Sequence, residues 1–503
     1  MDLSTAVTAT VSTLRRRPAD LLPFYFLGTA VPVIARIGLV AALAGVYLHL
    51  ELSGRFAAAR DVVVETDLTP PDVENQEALE QWSREIGPAI EPLVSPTAVA
   101  LVGGGVVAAV LLAAVVYAAA SAGQMTAAFA RLRGERGLTA GIGGVRAHWL
   151  TFLGLYLAEA SLWVGVILLA GLAVGAASLV GGPILGAVVA LGGLLVGAAA
   201  LVSVRIVFAF ASAAIVVDDA GVFGGIDGAG GFVRANPVDA AAYLVVAVGV
   251  VVAIASAASA LAVVGGGAVV AIASALVAAP ALDLLKTVLY GEYRGAVDPV
   301  GPPDARVRDQ FGGGIRRGWT ELMGFVRRTP GTHLLVVAVG VGSGVLGWTL
   351  AEPLAGTVST SIEARLAGHV PPVAAVEFFG NNWGVTIATA FSGVALVVPA
   401  LSSVAFNGAV LGGVAALEQN PAALVAFVVP HGLFEIPAIL VSGALGVRLG
   451  VVAWRAFRGR LSRTGFADAI ENAFWVLVGI GVLLAVAALI EGFVSPYYWR
   501  PFL

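Results

Sequence analysis

Near the C-terminal end of the chain, four strings set polar residues inside stretches that are otherwise lipid-soluble: FFGNNWG, AFNGAVLGG, VVPHGLFEIPA and ALIEGFVSP. They carry Asn381, Asn382, Asn407, His431, Glu435 and Glu491. At bilayer depth an ionisable or amide side chain costs several kcal/mol unless it is paired or faces a cavity, so each of these residues needs a reason to be there. His431 and Glu435 are four apart and share one face of a helix, where they can hydrogen-bond, hold a cation together or relay a proton. Pro430 and Pro437 bracket them and can kink the segment or free its carbonyls. The pair reads either as cavity-lining or as a polar clamp between helices.

Asn407 lies beside Gly408 and Gly412, a small-residue face that permits close helix approach. Its amide is expected to reach a neighbouring helix, with His431 and Glu435 as the natural partners. Asn381 and Asn382 stand where a helix is expected to start, and capping accounts for one of them. Glu491 falls near the end of the last apolar segment, at the mouth of the same cluster. Farther upstream, Glu159 and Arg205 sit at similar depth in two adjacent apolar segments and are expected to form an intramembrane ion pair, with Arg36 as a competitor for Glu159.

The elements that position these residues follow from composition. Of 503 residues, 59% are hydrophobic and 12% charged, and the mean hydropathy is +0.94. Soluble domains carry about a quarter charged residues, so the chain reads as an all-α polytopic membrane protein. At about 20 apolar residues per crossing, spans are expected near 21–49, 95–121, 148–176, 184–215, 238–263, 268–288, 333–351, 383–401, 403–418, 422–446 and 473–494. That is eleven, in bundles of six and five. Arg15 to Arg17 precede the first span, and the apolar stretch after them is too long for a signal peptide.

Arginine gathers at four places: before the first span, after the second, between the sixth and seventh, and between the tenth and eleventh. All four fall on one side under an odd count, which predicts a cytoplasmic N-terminus and an external C-terminus. The acidic loop 51–93 then lies outside, with QEALEQWSREIG helical and LTPPDVEN a turn. Three domains are expected: 1–290, a six-span membrane domain; 291–331, a cytosolic linker over 291–314 followed by a basic amphipathic helix at the membrane surface; and 332–503, a five-span membrane domain. LRRRPADLLPF, VRANPVDAAAY and VRRTPGTHLL each place basic residues and a proline before a span, a shared insertion device.

Cysteine is absent, which excludes thiol catalysis, disulfides and iron–sulfur clusters. The five histidines show no metal-ligand spacing, no metal or cofactor is expected, and no basic stripe with aromatics suggests nucleic acid. There is no nucleophile elbow and no P-loop, so no enzyme is expected.

Residues 325 to 498 resemble the stage II sporulation protein M family. The resemblance rests on Asn381-Asn382, Asn407-Gly408, Pro430-His431-Gly432 with Glu435, Gly446 with Arg448 and Gly450, and Ile490-Glu491 with Pro496, in that order. The N-terminal half is only loosely similar to six-helix membrane domains with an AIVVDDAG-type turn. The family resemblance implies a multi-pass cell-membrane scaffold for envelope machinery, with the bilayer and other membrane proteins, or further copies of itself, as partners. A transporter or channel using the Asn/His/Glu residues is the alternative.

Overall fold

The computed structural model of the chain describes residues 3–65, 76–262, 267–297, 301, 303, 305–355, 358–498 and 500. Among these residues the secondary structure is helical, with isolated bridges in place of strands. An N-terminal helix α1 (Leu3–Arg16) leads into α2 (Pro23–Leu52). Two short helices, α3 (Arg55–Glu65) and α4 (Gln76–Ile90), then precede α5 (Pro96–Leu132). The expected helix QEALEQWSREIG forms as α4, whereas the expected turn LTPPDVEN lies outside the described residues.

The next element, α6 (Gly137–Val217), is two helical arms joined at Gly182, whose φ of 73° only glycine adopts without strain. Arg205 meets Glu159, Gly197 lies against Val166, and Gly186 lies against Ser178. These pairs are spaced evenly about Gly182, so α6 is an antiparallel helical hairpin with arms corresponding to the expected spans 148–176 and 184–215.

After α6 come α7 (Val222–Ala235), α8 (Pro237–Ala262), α9 (Gly267–Ala273) and α10 (Ala279–Tyr293), the last two joined by a π-helical turn. The basic helix α11 (Val307–Arg328) takes in residues 307–314, which the sequence suggested were linker. It is followed by α12 (Pro330–Ala351) and the short α13 (Ile362–Arg365). Pro237 and Pro330 open α8 and α12, the position where a missing N–H is harmless.

The C-terminal bundle is completed by α14 (Pro371–Ser392), α15 (Val398–Leu417), α16 (Pro421–Phe457), α17 (Arg463–Phe493) and α18 (Ser495–Tyr498). Here the expected span 383–401 is corrected. The helix starts twelve residues earlier, at the Pro371-Pro372 pair, and ends at Ser392. Between 393 and 397 the chain turns, with Leu396 and Val397 at φ 68° and 72°. Asn381 and Asn382 therefore sit in mid-helix and cap nothing.

Among the described residues, nine helices are long and apolar enough to cross a membrane; α6 counts once, and α14 is not one of them. The protein is accordingly a multi-pass membrane protein. Its two halves interlock: Phe26 of α2 stacks on Phe474 of α17 and meets Phe391 of α14 edge-on, with centroids 5.6 and 5.4 Å away.

The arginine-rich segments come together at one end. Arg15 donates to the carbonyl of Ala305 and Arg16 to that of Gly301. Arg136 bridges to Asp468 at 2.6 Å and to Glu471 at 3.3 Å, while Arg317 holds Glu471 at 3.0 Å. At that same end Asp20 caps α6, accepting from the backbone N–H groups of Gly137 and Leu138 at 2.8 and 2.9 Å.

Candidate functional site

The far end of the C-terminal bundle is built where α16 begins and α17 finishes. Asn420 caps α16, accepting from the N–H of Ala423 at 3.0 Å, and Pro421 opens its first turn. Three turns in, helical periodicity sets His431 and Glu435 on one face, with Nε2 and Oε2 4.0 Å apart. Pro430 and Pro437 are both accommodated inside this helix.

Glu491, at the end of α17, brings its Oε1 to 3.9 Å from the same imidazole nitrogen. The chain then breaks at Val494 and starts α18 at Ser495, a fully buried residue whose Oγ lies 2.9 Å from His431 Nδ1. One ligand-type atom from each of His431, Glu435 and Glu491 lies within 4.8 Å of the other two. The imidazole is 7% exposed and is met edge-on by the Phe427 ring, and Glu435 is 19% exposed.

The contacts to the two carboxylates are longer than hydrogen bonds, and Glu491 Oε2 is buried without a partner among the described residues. The cluster is gathered but not closed.

Asn407 is not brought into it. Its amide donates to the Ser403 carbonyl one turn back at 2.8 Å, and among the described residues it makes no hydrogen bond to His431 or Glu435. The reason is the direction of the glycine face. Gly408 lies on Gly340, Gly412 on Gly344, and Gly347 of α12 on Ala409, so the small residues press α15 onto α12 and not onto α16. The neighbouring Asn407, rotated by about 100° around the helix, satisfies itself locally.

Asn381 and Asn382 hydrogen-bond each other at 3.2 Å, and the next residue, Trp383, donates its indole N–H to the Leu477 carbonyl at 3.2 Å. In the other half, Arg205 Nη1 reaches Glu159 Oε1 at 3.1 Å across the α6 hairpin. Among the described residues the ion pair of Glu159 is with Arg205 and not with Arg36.

Several polar residues escaped the sequence reading. Ser495 completes the His431 environment, yet a serine in an apolar stretch carries no signal of its own. Asp283 accepts from Tyr25 at 2.9 Å and pairs with Lys286 at 2.8 Å; the i,i+3 spacing of Asp283 and the only lysine in the chain could have revealed it. Glu418, 1% exposed, accepts from the N–H of Ile362 at 3.0 Å and from Thr360 at 3.1 Å.

A second polar recess lies at the arginine-rich end. It has a volume of about 330 Å³, and its lining includes Arg328, Thr329, Arg448 and Asn472. Arg448 thus sits at the opposite end of α16 from His431.

Comparison with known proteins bears on the C-terminal part of the chain. The stage II sporulation protein M family model matches residues 333–496, which run from α12 through the His431 cluster. The resemblance read over 325 to 498 is borne out over that range. No curated protein and no solved structure matches the chain.

Proposed function

We propose that this protein is a non-enzymatic scaffold or assembly subunit for envelope or membrane-associated machinery, resident in the cell membrane. Counting the arms of α6 separately and including α14 supports eleven crossings, with the arginine-rich end and the N-terminus cytoplasmic.

The observation that carries this reading is the way α11 is mounted. Gly318 lies against Gly479, Leu322 and Phe325 are buried, and Arg317 stacks over Trp475 at 4.5 Å. Asn472 donates to Glu321 at 2.6 Å. An amphipathic helix fixed so firmly onto a membrane bundle presents its outer arginines, Arg316 and Arg327 among them, as a rigid basic platform. Such a platform suits a partner protein or anionic lipid. The test is site-specific photocrosslinking from position 319, where the exposed Trp319 of the same helix is replaced by a photoreactive residue, in native membranes. One defined membrane protein, captured in stoichiometric yield and lost in the Arg316→Glu/Arg327→Glu variant, supports the scaffold; equal capture by the charge-reversed variant contradicts it.

A transporter or channel is the second reading, favoured by the unclosed carboxylates of Glu435, which lies between two prolines of α16, and of Glu491 on α17. Cation or proton flux in proteoliposomes, lost on Glu435→Gln, would select it over the scaffold.

A further inference from the structure

We propose that His431, Glu435 and Glu491 form a binding site for one divalent transition-metal cation, with Ser495 holding the imidazole in its ligating orientation. The site is separate from the basic platform and does not depend on the scaffold reading.

One imidazole nitrogen and one oxygen from each of two carboxylates lie within 4.8 Å of one another, and two carboxylates neutralise a doubly charged ion in a setting where unpaired charge is costly. A mixed nitrogen and oxygen set suits Zn²⁺, Mn²⁺ or Fe²⁺ better than a soft cation such as Cu⁺.

Ser495 Oγ occupies His431 Nδ1, which leaves Nε2 as the nitrogen facing both carboxylates. Metal-binding histidines are held in this way, by a partner on the ring nitrogen that does not ligate. Among the described residues Glu491 Oε2 is buried with no hydrogen-bond partner, although a buried polar atom ordinarily has one. A cation supplies what the protein does not.

Nε2 stands 4.0 and 3.9 Å from the two carboxylate oxygens. Around a tetrahedral Zn²⁺ the ligand atoms lie roughly 3.4 Å apart, so each of these two contacts closes by about 0.5 Å, and the two carboxylate oxygens, within 4.8 Å of one another, close onto the same ion. Glu435, 19% exposed, gives the side of access and leaves room for water to complete the shell. Once loaded, the ion would staple the start of α16 to the end of α17.

The test uses the full chain in detergent, prepared without a polyhistidine tag and stripped with chelator, then titrated with ZnCl₂ or MnCl₂ by calorimetry with thermal unfolding in parallel. One ion per chain is expected for the unaltered protein, with a rise in unfolding temperature. Glu491→Gln and His431→Gln should each abolish that rise, and Ser495→Ala should weaken binding about 10- to 100-fold. Size-exclusion profiles and metal-free unfolding temperatures report whether each variant is folded; should the ligand variants misfold, Ser495→Ala decides. Absence of saturable binding by the unaltered protein, or unchanged affinity in the folded variants, would overturn the proposal.

Discussion

At the scale of single residues, Asp20 shows how a polar group is made tolerable in this chain. It is 5% exposed, caps two N–H groups of α6 and stands 3.6 Å from the equally buried Arg131. Removing the carboxylate leaves a guanidinium buried and a helix start uncapped, so Asp20→Ala is expected to cost about 3–5 kcal/mol. Asp20→Asn, which retains an acceptor for the cap, should cost less. Equilibrium unfolding in mixed detergent measures both, and an Asp20→Ala variant as stable as the unaltered chain would refute the role. Legibility in the sequence followed spacing at this scale. His431 and Glu435 could be paired by their i,i+4 relation and Glu159 with Arg205 by depth, because helical geometry is local. Asn407 could not be placed, because a glycine face announces a close helix without saying which one. Ser495 gave no sign at all: its meaning comes from the histidine that α16 delivers to it.

At the scale of elements, the turn between α14 and α15 is the least comfortable piece of backbone. Leu396 and Val397 are held in the left-handed region at φ 68° and 72°, costly for side chains of their size. What holds them is α16. Gly446 packs against Gly393, and a Cβ on Gly450 would come within 2.6 Å of the Gly393 carbonyl oxygen and 2.7 Å of the Val397 nitrogen. Gly450→Ala should therefore overpack a backbone contact and destabilise by about 1–3 kcal/mol. Gly165→Ala, in the α6 hairpin where an added Cβ would meet no neighbouring element within 4 Å among the described residues, should be neutral or mildly stabilising. Comparing the two unfolding midpoints checks the argument, and equal effects would contradict it. These glycines also explain why the sequence misplaced α14. Hydropathy alone favoured an apolar run over 383–401, whereas the Pro371-Pro372 start and the clasp by α16 decided the limits. The α6 hairpin was more legible, since Gly182-Pro183 punctuates an otherwise unbroken apolar sequence.

At the scale of the whole molecule, the fold class and the gathering of the arginine segments at one end were readable, because bilayer thickness and charge placement act on composition. The interlocking of the halves through Phe26, Phe391 and Phe474 was not, since aromatic packing between distant segments leaves no periodic trace. Orientation gives a direct prediction. With no cysteine in the chain, a single Ser53→Cys at the end of α2 should react with an impermeant maleimide from outside intact cells. Arg460→Cys, between α16 and α17, should react only after lysis. Both labelling from one side would sink the eleven-crossing arrangement. Function at this scale rests on whether the rigid basic platform or the intramembrane cluster matters to the cell. The most direct measurement is quantitative recovery of the crosslinked partner from cells carrying either Arg316→Glu/Arg327→Glu or Glu435→Gln, with flux measured on the same preparations. The account predicts that charge reversal on α11 depletes the complex, while Glu435→Gln leaves it intact and no flux is found in either. A complex that survives charge reversal, together with a flux that Glu435→Gln abolishes, would contradict it.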